Sequence, residues 1–498
     1  MVLWEMIMEN VRVRYAPSPT GFAHIGNIRT AMYDWLLAKK CGGTFILRIE
    51  DTDQARLVPG SLEEIMESLR WLGMQWDEGP EVGGPFGPYF QSQRLDQYAG
   101  YAETMLQRGD AYRCFCTSDR LTEMRKGQEA RKLPTGYDRC CLDLRAADAE
   151  EKLQAGIPSV IRFKVPRDGQ TTFTDMIRGD IAFDNMLLDD FVIIKSDGYP
   201  TYHFAMLIDD HLMEITHAIR GEEWISSTPK HVLLYKAMGW SPPKWIHPTL
   251  ILGPDKSKLS KRHGAVRFLD YREKGFLPEA MINFVTMLGW SSGDDQELFS
   301  VGELIDRFSI EGLVDHPAVF DTTKLEWMNG VYIRNADVNR IIDLCLPFLR
   351  DAGLVSDSPS PDEMEYISSV ISLEKDKLKT LAQVVEKTDF FFQNSPSYDE
   401  KGMSKWLLKD YVPSLLRKLI GIIEDIDTLT IGKSEEAIGF AGDALGVSGG
   451  MVIHPVRMAV TGRTVGPGLF ETMAVLGRER VLYRLNRTLG EISDISAD

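Results

Sequence analysis

The opening of the chain alternates a strand, a helix and a second strand, and this order constrains the fold more than any other feature. Val11 to Tyr15 reads as a short buried strand. A helix is predicted from about His24 to Lys40, because its apolar residues follow the spacing of one helical face. Gly42 and Gly43 end it, and Thr44 to Ile49 forms the next strand. Such a unit joins parallel strands, so we predict an α/β fold with a parallel sheet.

The pattern changes twice further along the chain. From about Tyr101 to Asp190 a mixed segment interrupts the α/β pattern, which resumes with a strand at Phe191 to Ile194 and a helix through Tyr202. Beyond about Asn335 the apolar spacing is almost wholly helical. Helices are predicted there over residues 338–349, 378–385, 406–423, 435–445 and 478–489.

Composition argues against a membrane protein and leaves an RNA partner open. No run approaches the roughly 18 apolar residues of a membrane helix. The first residues lack the basic stretch of a secretory signal, so we expect a cytoplasmic protein. The net charge is −17, with 73 acidic against 56 basic residues. Phosphate binding needs Lys and Arg, but a large enzyme can hold a local basic track on an acidic body.

Two short segments carry the chemistry of a nucleotide site. His24-Ile25-Gly26-Asn27 opens a helix, where free backbone N–H groups and the helix dipole suit a triphosphate. Lys258-Leu-Ser-Lys-Arg262 lies on a loop between turn-forming residues, where basic side chains can stabilise a departing pyrophosphate. Taken singly, the first segment fits a capped helix start better, and the second fits a solvated basic loop.

Four of the six cysteines cluster in the mixed segment, at Cys114, Cys116, Cys140 and Cys141. Six cysteines in a chain of this length do not make a disulfide framework. The cluster therefore indicates metal chemistry, with small buried thiols without a metal as the alternative.

The two segments together, in this order, resemble the paired elements of class I aminoacyl-tRNA synthetases, which are His-Ile-Gly-His-like and Lys-Met-Ser-Lys-Ser-like. Asn27 in place of the second histidine is usual in the glutamyl branch. Further segments resemble glutamyl-tRNA synthetases in family order: Arg14–Gly21, Leu47–Asp53, Tyr199–His203, Ile219–Trp224 and Thr461–Phe470. The chain thus resembles the bacterial-type glutamyl-tRNA synthetases along nearly its whole length. The helical last third supports the bacterial type, since glutaminyl and eukaryotic-type relatives read the anticodon with β-barrels.

The resemblance implies a class I Rossmann-type catalytic domain with a parallel sheet, an inserted domain and an all-helical C-terminal region. The implied domains are the first catalytic half (11–100), the inserted acceptor-stem-binding domain (101–190), the second catalytic half (191–255), a stem-contact domain with the Lys258 loop (256–335) and a helical anticodon-binding domain of one or two subdomains (336–498).

The resemblance also implies the residues of the active site. For ATP, bound with Mg²⁺, these are His24, Gly26, Asn27, Lys258, Ser260 and Lys261, of which His24, Asn27, Lys258 and Lys261 act in catalysis. For L-glutamate, Arg14 and Arg220 bind the side-chain carboxylate and Tyr202 adds a hydroxyl donor. Glu50 holds the α-ammonium group and Ser18 makes a further contact. Arginine suits this task because it is always charged and grips a carboxylate with two donors.

The same resemblance implies RNA contacts and a zinc site. Asp53 would meet the terminal adenosine of tRNA(Glu), and Trp224 its stem together with the region from Lys258 to Glu326. Arg457, Pro467 and Leu469 would meet the anticodon. Some members bind structural Zn²⁺ with a set that matches Cys114, Cys116, Tyr137 and Cys141, although Cys140 leaves the choice of thiolate open. Monomer is the family's usual state, and charging of tRNA(Gln) is left open.

Three other functions would each account for only part of this sequence. A shorter paralogue that glutamylates a modified tRNA base lacks an anticodon domain, which residues 336–498 would supply. A catalytically inactive tRNA-binding protein would not need the intact ATP and glutamate sets. A nucleotidylyltransferase that adenylates another small acid would leave the helical third unexplained.

Overall fold

The described chain, residues 10–259 and 267–495 of a computed structural model, divides into two units. One contains the residues up to Tyr271 and Met281–Thr322, and the other contains Arg272–Ala280 and the residues from Thr323 onward. The strands are β1 (Arg12–Tyr15), β2 (Thr44–Leu47), β3 (Ala111–Cys114), β4 (Val160–Phe163), β5 (Gln170–Asp175), β6 (Gly179–Asp184), β7 (Val192–Ile194), β8 (His217–Ile219), β9 (Lys244–Ile246), β10 (Ile251–Leu252) and β11 (Ala318–Val319).

The helices of the first part of the chain are α1 (Ile25–Cys41), α2 (Ser61–Trp71), α3 (Leu95–Arg108), α4 (Ser118–Ala130), α5 (Ala146–Gln154), α6 (Tyr202–Leu212), α7 (Thr228–Met238), α8 (Asp270–Glu273), α9 (Pro278–Met287) and α10 (Val301–Arg307). Those that follow are α11 (Thr322–Asn335), α12 (Val338–Asp351), α13 (Pro361–Glu374), α14 (Gln383–Phe392), α15 (Glu400–Gly402), α16 (Val412–Glu424), α17 (Ile431–Asp443), α18 (Gly450–Thr461) and α19 (Leu469–Ile495).

The predicted parallel sheet is confirmed. Strand β1 pairs with β2 in parallel over all four residues, and β8 pairs with β9 in parallel. The backbone N–H of Thr216, at the start of β8, donates to the carbonyl of Arg12 over 2.9 Å. This bond places β1 between β2 and β8, so the carboxyl ends of three neighbouring strands open on one edge of the sheet.

Helix α1 begins and ends where the sequence predicts. Its buried face includes Ile28, Met32 and Leu36, none of which is exposed. Gly42 ends it in the left-handed conformation, with φ 59°. Gly43 then lies so close to the chain before β1 that an added Cβ would fall 2.2 Å from the carbonyl oxygen of Val11. A glycine is therefore required for the close return from helix to sheet.

The segment between the two halves of the sheet does not fold apart from it. Strands β5 and β6 form an antiparallel hairpin, and Asp175 of β5 pairs in parallel with Trp245 of β9. The hairpin thus extends the sheet that contains β8 and β9. Strand β7 pairs instead with β4, in the three-stranded sheet β3-β4-β7. The predicted boundary at residues 190/191 therefore does not coincide with a boundary between sheets.

The second unit is helical in its described residues, as the sequence predicts, but two predicted helix starts are displaced. Leu378 to Leu381 is not helical, because the N–H of Leu381 donates to the carbonyl of Gly275, and α14 begins at Gln383. Helix α16 begins at Val412, since Pro413 favours the first turn, and a separate π-helical turn covers Met403–Leu407. Within residues 10–259 and 267–495, no helix is both long and apolar enough to span a membrane.

Candidate active site

Three charged residues meet at the carboxyl ends of neighbouring strands. Arg14 lies on β1, Glu50 follows β2 and Arg220 follows β8, and they are only 3, 5 and 6% exposed. The N–H of Glu50 donates to the carbonyl of Pro17 over 3.0 Å, which fixes it beside the loop after β1. Crevices outside the carboxyl ends of parallel strands are where α/β sheets bind ligands. The structure thus brings together three of the residues predicted to bind an amino acid.

Two further charged residues hold this group in place. Asp210, on α6, accepts from Arg14 Nε at 2.9 Å and from Arg48 Nη1 at 2.8 Å. Arg48 Nη2 also donates to Glu50 Oε1 at 3.1 Å. Neither Arg48 nor Asp210 was predicted from the sequence. For Arg48 the available signal was a charged residue inside an apolar predicted strand, because such a residue is buried only when it has a partner.

The carboxylate next to Asp210 anchors the same helix. Asp209 accepts from Arg94 Nε at 2.7 Å, from Gln91 Nε2 at 2.8 Å and from the hydroxyl of Tyr98 at 2.7 Å. All four side chains are buried. Asp209 and Asp210, near the end of α6, therefore fix this helix, whose first residue is Tyr202.

Glu50 is poised between its two protonation states. Burial raises the pKa of its carboxyl to about 7, while the charges of Arg48 and Arg14 work in the opposite direction. A cation placed against this carboxyl would favour its ionised form. The position is thus suited to an ammonium group.

Arg220 and Tyr202 form a donor pair facing the same crevice. Arg220 Nη1 donates to the Tyr202 hydroxyl at 3.4 Å, which leaves the hydroxyl proton for another acceptor. Within the part of the chain that the structure describes, Arg220 Nε is buried and has no hydrogen-bond partner. Burial raises the pKa of Tyr202, on which the charges of Arg220, Glu50 and Arg14 also act. The guanidinium charge, which no described carboxylate pairs with, and the hydroxyl proton of Tyr202 together fit an anionic group.

Trp224 forms a wall of this crevice. Its ring centroid lies 4.6 Å from that of Tyr202, and the Arg220 guanidinium lies 5.7 Å from its ring. It is half-buried, in the 3₁₀ turn Glu222–Ser227. Its predicted contact with a tRNA stem stays a prediction. In the structure its ring packs against Tyr202 and lies near Arg220, two of the residues predicted to bind the amino acid.

His24 caps α1. Its Nδ1 accepts from the N–H of Gly26 at 3.1 Å and from that of Asn27 at 3.4 Å, so Nε2 carries the proton of the neutral ring. A Cβ on Gly26 would lie 3.1 Å from the His24 ring, so a larger residue would press on this cap. Asn27 Oδ1 is buried and has no hydrogen-bond partner among the residues that the structure describes. His24 Nε2 is thus the polar group offered to a ligand at this helix start, with Asn27 beside it.

The Lys258 loop lies within electrostatic reach of this cap. Desolvation lowers the pKa of His24, and the charge of Lys258 lowers it further. Lys258 itself is exposed and pairs with Leu252 in a β-bridge. The two halves of the predicted nucleotide site are therefore neighbours. Ser260 and Lys261 lie outside the described residues.

Ser18 and Asp53 lie on loops at the same edge of the sheet. Ser18 is exposed, between Pro17 and the start of α1. Asp53 is half-exposed and pairs with Arg56 at 2.6 Å. Their contacts with an amino acid and with RNA stay predictions.

The predicted metal ligands converge at the end of β3. The sulfur atoms of Cys114, Cys116 and Cys141 lie within 4.8 Å of one another. The Tyr137 hydroxyl is 3.2 Å from Cys114 Sγ and 3.6 Å from Cys116 Sγ. In a tetrahedral zinc site with 2.3 Å bonds, ligand atoms are about 3.8 Å apart. The cluster fits such an ion. Cys140 Sγ, at 3.2 Å from Cys116 Sγ, is a further thiol within reach.

The three predicted anticodon residues lie together in the second unit. Arg457 Nη1 donates to the carbonyl of Pro467 at 2.6 Å, and burial lowers the pKa of this guanidinium. Pro467 is buried, and Leu469 belongs to the apolar core at the start of α19. Their contact with bases stays a prediction, and the described arrangement gives each of them a structural role.

Comparisons with known proteins agree with this geometry. A family model described as class I tRNA synthetases (E and Q), catalytic domain, matches residues 10–327. A model described as an anticodon binding domain matches residues 340–489.

Similar proteins match the chain at nearly full length. A glutamate–tRNA ligase of Moorella thermoacetica is 46% identical over 96% of this chain and 98% of its own length. One of Dehalococcoides mccartyi is 47% identical over 97% and 99%. The crystal structure of a glutamate tRNA ligase from Elizabethkingia meningosepticum, in complex with its amino acid, superimposes with a TM-score of 0.89 and 39% identity, covering 97% of this chain and all of that one.

Proposed function

Because this chain belongs to the class I tRNA synthetases for glutamate and glutamine, and among them to the glutamate–tRNA ligases, we propose that it activates L-glutamate with ATP and transfers it to tRNA(Glu). In the first step the α-carboxylate of glutamate attacks the α-phosphorus of ATP, which forms glutamyl-adenylate and releases pyrophosphate. In the second step the 2′-hydroxyl of the terminal adenosine takes the acyl group and AMP leaves.

One observation carries the choice of substrate. Arg220 is buried, pairs with no carboxylate among the described residues and lies beside the free hydroxyl proton of Tyr202, while Glu50 supplies a carboxylate at the end of a nearby strand. An amino acid with an anionic side chain fits this arrangement, with its side-chain carboxylate at Arg220 and its ammonium group at Glu50. Arg14 stands between them, and its charge is shared with Asp210.

Catalysis in this site consists of positioning and charge stabilisation. His24 Nε2–H donates to the triphosphate, and the positive charge of Lys258 stabilises the departing pyrophosphate. Ser260 and Lys261 are proposed to continue this contact. Mg²⁺ supplies further charge neutralisation on the triphosphate when bound. No enzyme nucleophile is needed, because the substrate carboxylate attacks directly.

The transfer of glutamate requires that RNA reach the same crevice. Asp53, at the edge of the sheet, is proposed to meet the terminal adenosine, and the exposed side of Trp224 to meet the acceptor stem. Arg457 and its neighbours Pro467 and Leu469 are proposed for the anticodon end.

The test of the function is ATP–pyrophosphate exchange by the purified full chain. Glutamate, glutamine and aspartate are compared, each with and without bulk tRNA. Exchange with glutamate alone is the expected result. Exchange that prefers glutamine would overturn the assignment of Arg220 to a side-chain carboxylate. Exchange that prefers aspartate would keep that assignment and overturn glutamate as the substrate, and no exchange from well-folded protein would overturn the enzymatic function.

The raised pKa of Glu50 predicts a pH dependence of glutamate use. The free site binds the ammonium group only when Glu50 is ionised, so kcat/KM for glutamate should rise between about pH 6 and 8 and level off above the pKa of about 7. The KM for ATP should not follow the same curve. Glu50→Gln should lower kcat/KM and remove the inflection. A variant that keeps the inflection would show that another group titrates.

We also propose a structural zinc ion held by Cys114, Cys116, Cys141 and the Tyr137 hydroxyl. The fit of the four ligand atoms to a tetrahedral ion supports it. The ion would hold the end of β3 to the loop around Tyr137 and take no part in the transfer chemistry.

Metal analysis of the purified chain should therefore find about one zinc per molecule. Cys116→Ser and Cys141→Ser should lose it, with a lower melting temperature, whereas Cys140→Ser should retain it. If Cys141→Ser retains zinc and Cys140→Ser loses it, then Cys140 and not Cys141 is the third thiolate ligand. Protein without zinc, purified without chelators, would disprove the site.

A further inference from the structure

The Arg220 guanidinium is bonded to a chain of two histidines. His231 Nδ1, on α7, lies 3.2 Å from Arg220 Nη2. Its other ring nitrogen, Nε2, lies 2.9 Å from Nδ1 of His203, the second residue of α6. His231 is completely buried and His203 is half-buried. These two hydrogen bonds connect α6 and α7 to the residue that would bind the substrate side chain.

The protons of this chain follow from the bonding. An arginine side chain can only donate, so His231 Nδ1 must accept and carries no hydrogen. The hydrogen of the neutral His231 ring is then on Nε2, which donates to His203 Nδ1. Burial, and then the charge of Arg220, lower the pKa of His231 well below its usual value. The ring thus stays neutral and keeps its acceptor towards Arg220.

Arg220 is held differently from the other two buried arginines of the site. Arg14 and Arg48 both form ion pairs with Asp210. Among the described residues, no carboxylate forms an ion pair with Arg220, whose two hydrogen-bond acceptors are the Tyr202 hydroxyl and the His231 ring. Both are neutral. The guanidinium is therefore oriented without losing its charge to a protein carboxylate.

We propose that His231, backed by His203, is a positioning residue that orients Arg220 for the side-chain carboxylate of the substrate and so contributes to the choice of glutamate over glutamine. This inference rests on the proposed role of Arg220. A neutral acceptor is essential to it. A carboxylate in place of His231 would orient Arg220 equally well, but it would compete with the substrate for the same charge.

Three replacements of His231 separate orientation from packing. His231→Leu removes the acceptor. His231→Gln keeps it, because the amide oxygen can accept from Arg220 while the amide nitrogen donates to His203. His231→Glu supplies a charged acceptor. His217→Leu is the matched control, since His217 on β8 is likewise a buried histidine, and its ring bonds to Thr216.

Pyrophosphate exchange at saturating tRNA is measured for each variant with glutamate, glutamine and ATP as the varied substrate. His231→Leu should raise the KM for glutamate roughly tenfold or more, with the KM for ATP changed less than about twofold. His231→Gln should restore the KM for glutamate to near that of the unmodified protein. His231→Glu should reduce the preference for glutamate over glutamine. His217→Leu should leave that preference unchanged.

The outcomes distinguish this inference from the function on which it rests. Unmodified protein that does not use glutamate would overturn both. If Arg220→Leu loses glutamate use while His231→Leu retains its KM, only the positioning role is overturned. It is also overturned if His231→Gln is as impaired as His231→Leu, since packing and not the acceptor would then be responsible. If the leucine variant does not fold, the comparison of His231→Gln with His231→Glu tests the inference. The glutamine variant should keep the preference for glutamate over glutamine, and an equal preference in both variants would overturn the positioning role.

Discussion

Arg220→Leu is expected to lower kcat/KM for glutamate by about two to three orders of magnitude. The replacement removes the buried cation whose charge no described carboxylate of the protein neutralises, so the substrate carboxylate would enter a desolvated site without a partner. The loss should appear in the KM for glutamate and in kcat, while the KM for ATP stays within about twofold of the original. Arg220→Lys should recover little, because an ammonium group cannot bond Tyr202, His231 and a carboxylate in one plane.

The matched control for this experiment is Arg145→Leu. Arg145 has an 82% exposed side chain and pairs only with the nearby Asp148 in the described contacts. It should behave like the unmodified protein in every assay. Glutamine is tested as a second substrate, since Arg220→Leu should reduce the ratio of kcat/KM for glutamate to kcat/KM for glutamine. An equal loss for both would mean that Arg220 serves the fold and not recognition.

Asp210→Ala is expected to be the most destabilising single change in the site. It leaves both Arg14 and Arg48 without the carboxylate that they share, and all three side chains are almost fully buried. Removing one partner of a buried ion pair costs about 3–5 kcal/mol of unfolding free energy. Urea and thermal unfolding of the full chain measure this change. Asp210→Asn, which keeps the shape and loses the charge, should fall between the alanine variant and the original.

The effect of Asp210 should depend on pH in a defined direction. Burial alone would raise the pKa of its carboxyl, but the charges of Arg14 and Arg48 lower it below the ordinary value. A group with a lowered pKa stabilises the fold above its unfolded pKa of about 4, and this contribution is lost as the pH falls through the folded pKa. The difference between the original protein and Asp210→Asn should therefore shrink on acidification. Asp315→Asn, at a side chain 80% exposed, is the control.

The strand ends of the site were predictable because local patterns mark them. The strand–helix–strand order, the polar cap at His24 and the charged residue after β2 all lie within one short stretch of sequence. The buried partners that hold these residues could not be predicted in this way. Arg48 and Asp210 are 162 residues apart, and nothing local to either one shows that they pair. Tertiary pairing of this kind is decided by packing, which periodicity does not describe.

His231 illustrates the same limit in another way. Its position in α7, just after the predicted start at Thr228 and Pro229, is that of an ordinary core histidine. Only the approach of Arg220 and His203, from other elements, distinguishes it. Of the two displaced helix starts in the second unit, that of α16 has a local reason, because apolar spacing alone does not show that Pro413 favours the first turn of a helix. That of α14 depends on the distant hydrogen bond from Leu381 to Gly275.

The β5–β6 hairpin has a practical consequence for dissecting this molecule. Because Asp175 pairs with Trp245, the hairpin covers the edge of β9 that would otherwise present unpaired backbone groups. A shortened protein that omits residues 101–190 as a cassette would uncover that edge and invite association between copies. A minimal protein for structural or screening work should therefore retain Gln170–Asp184.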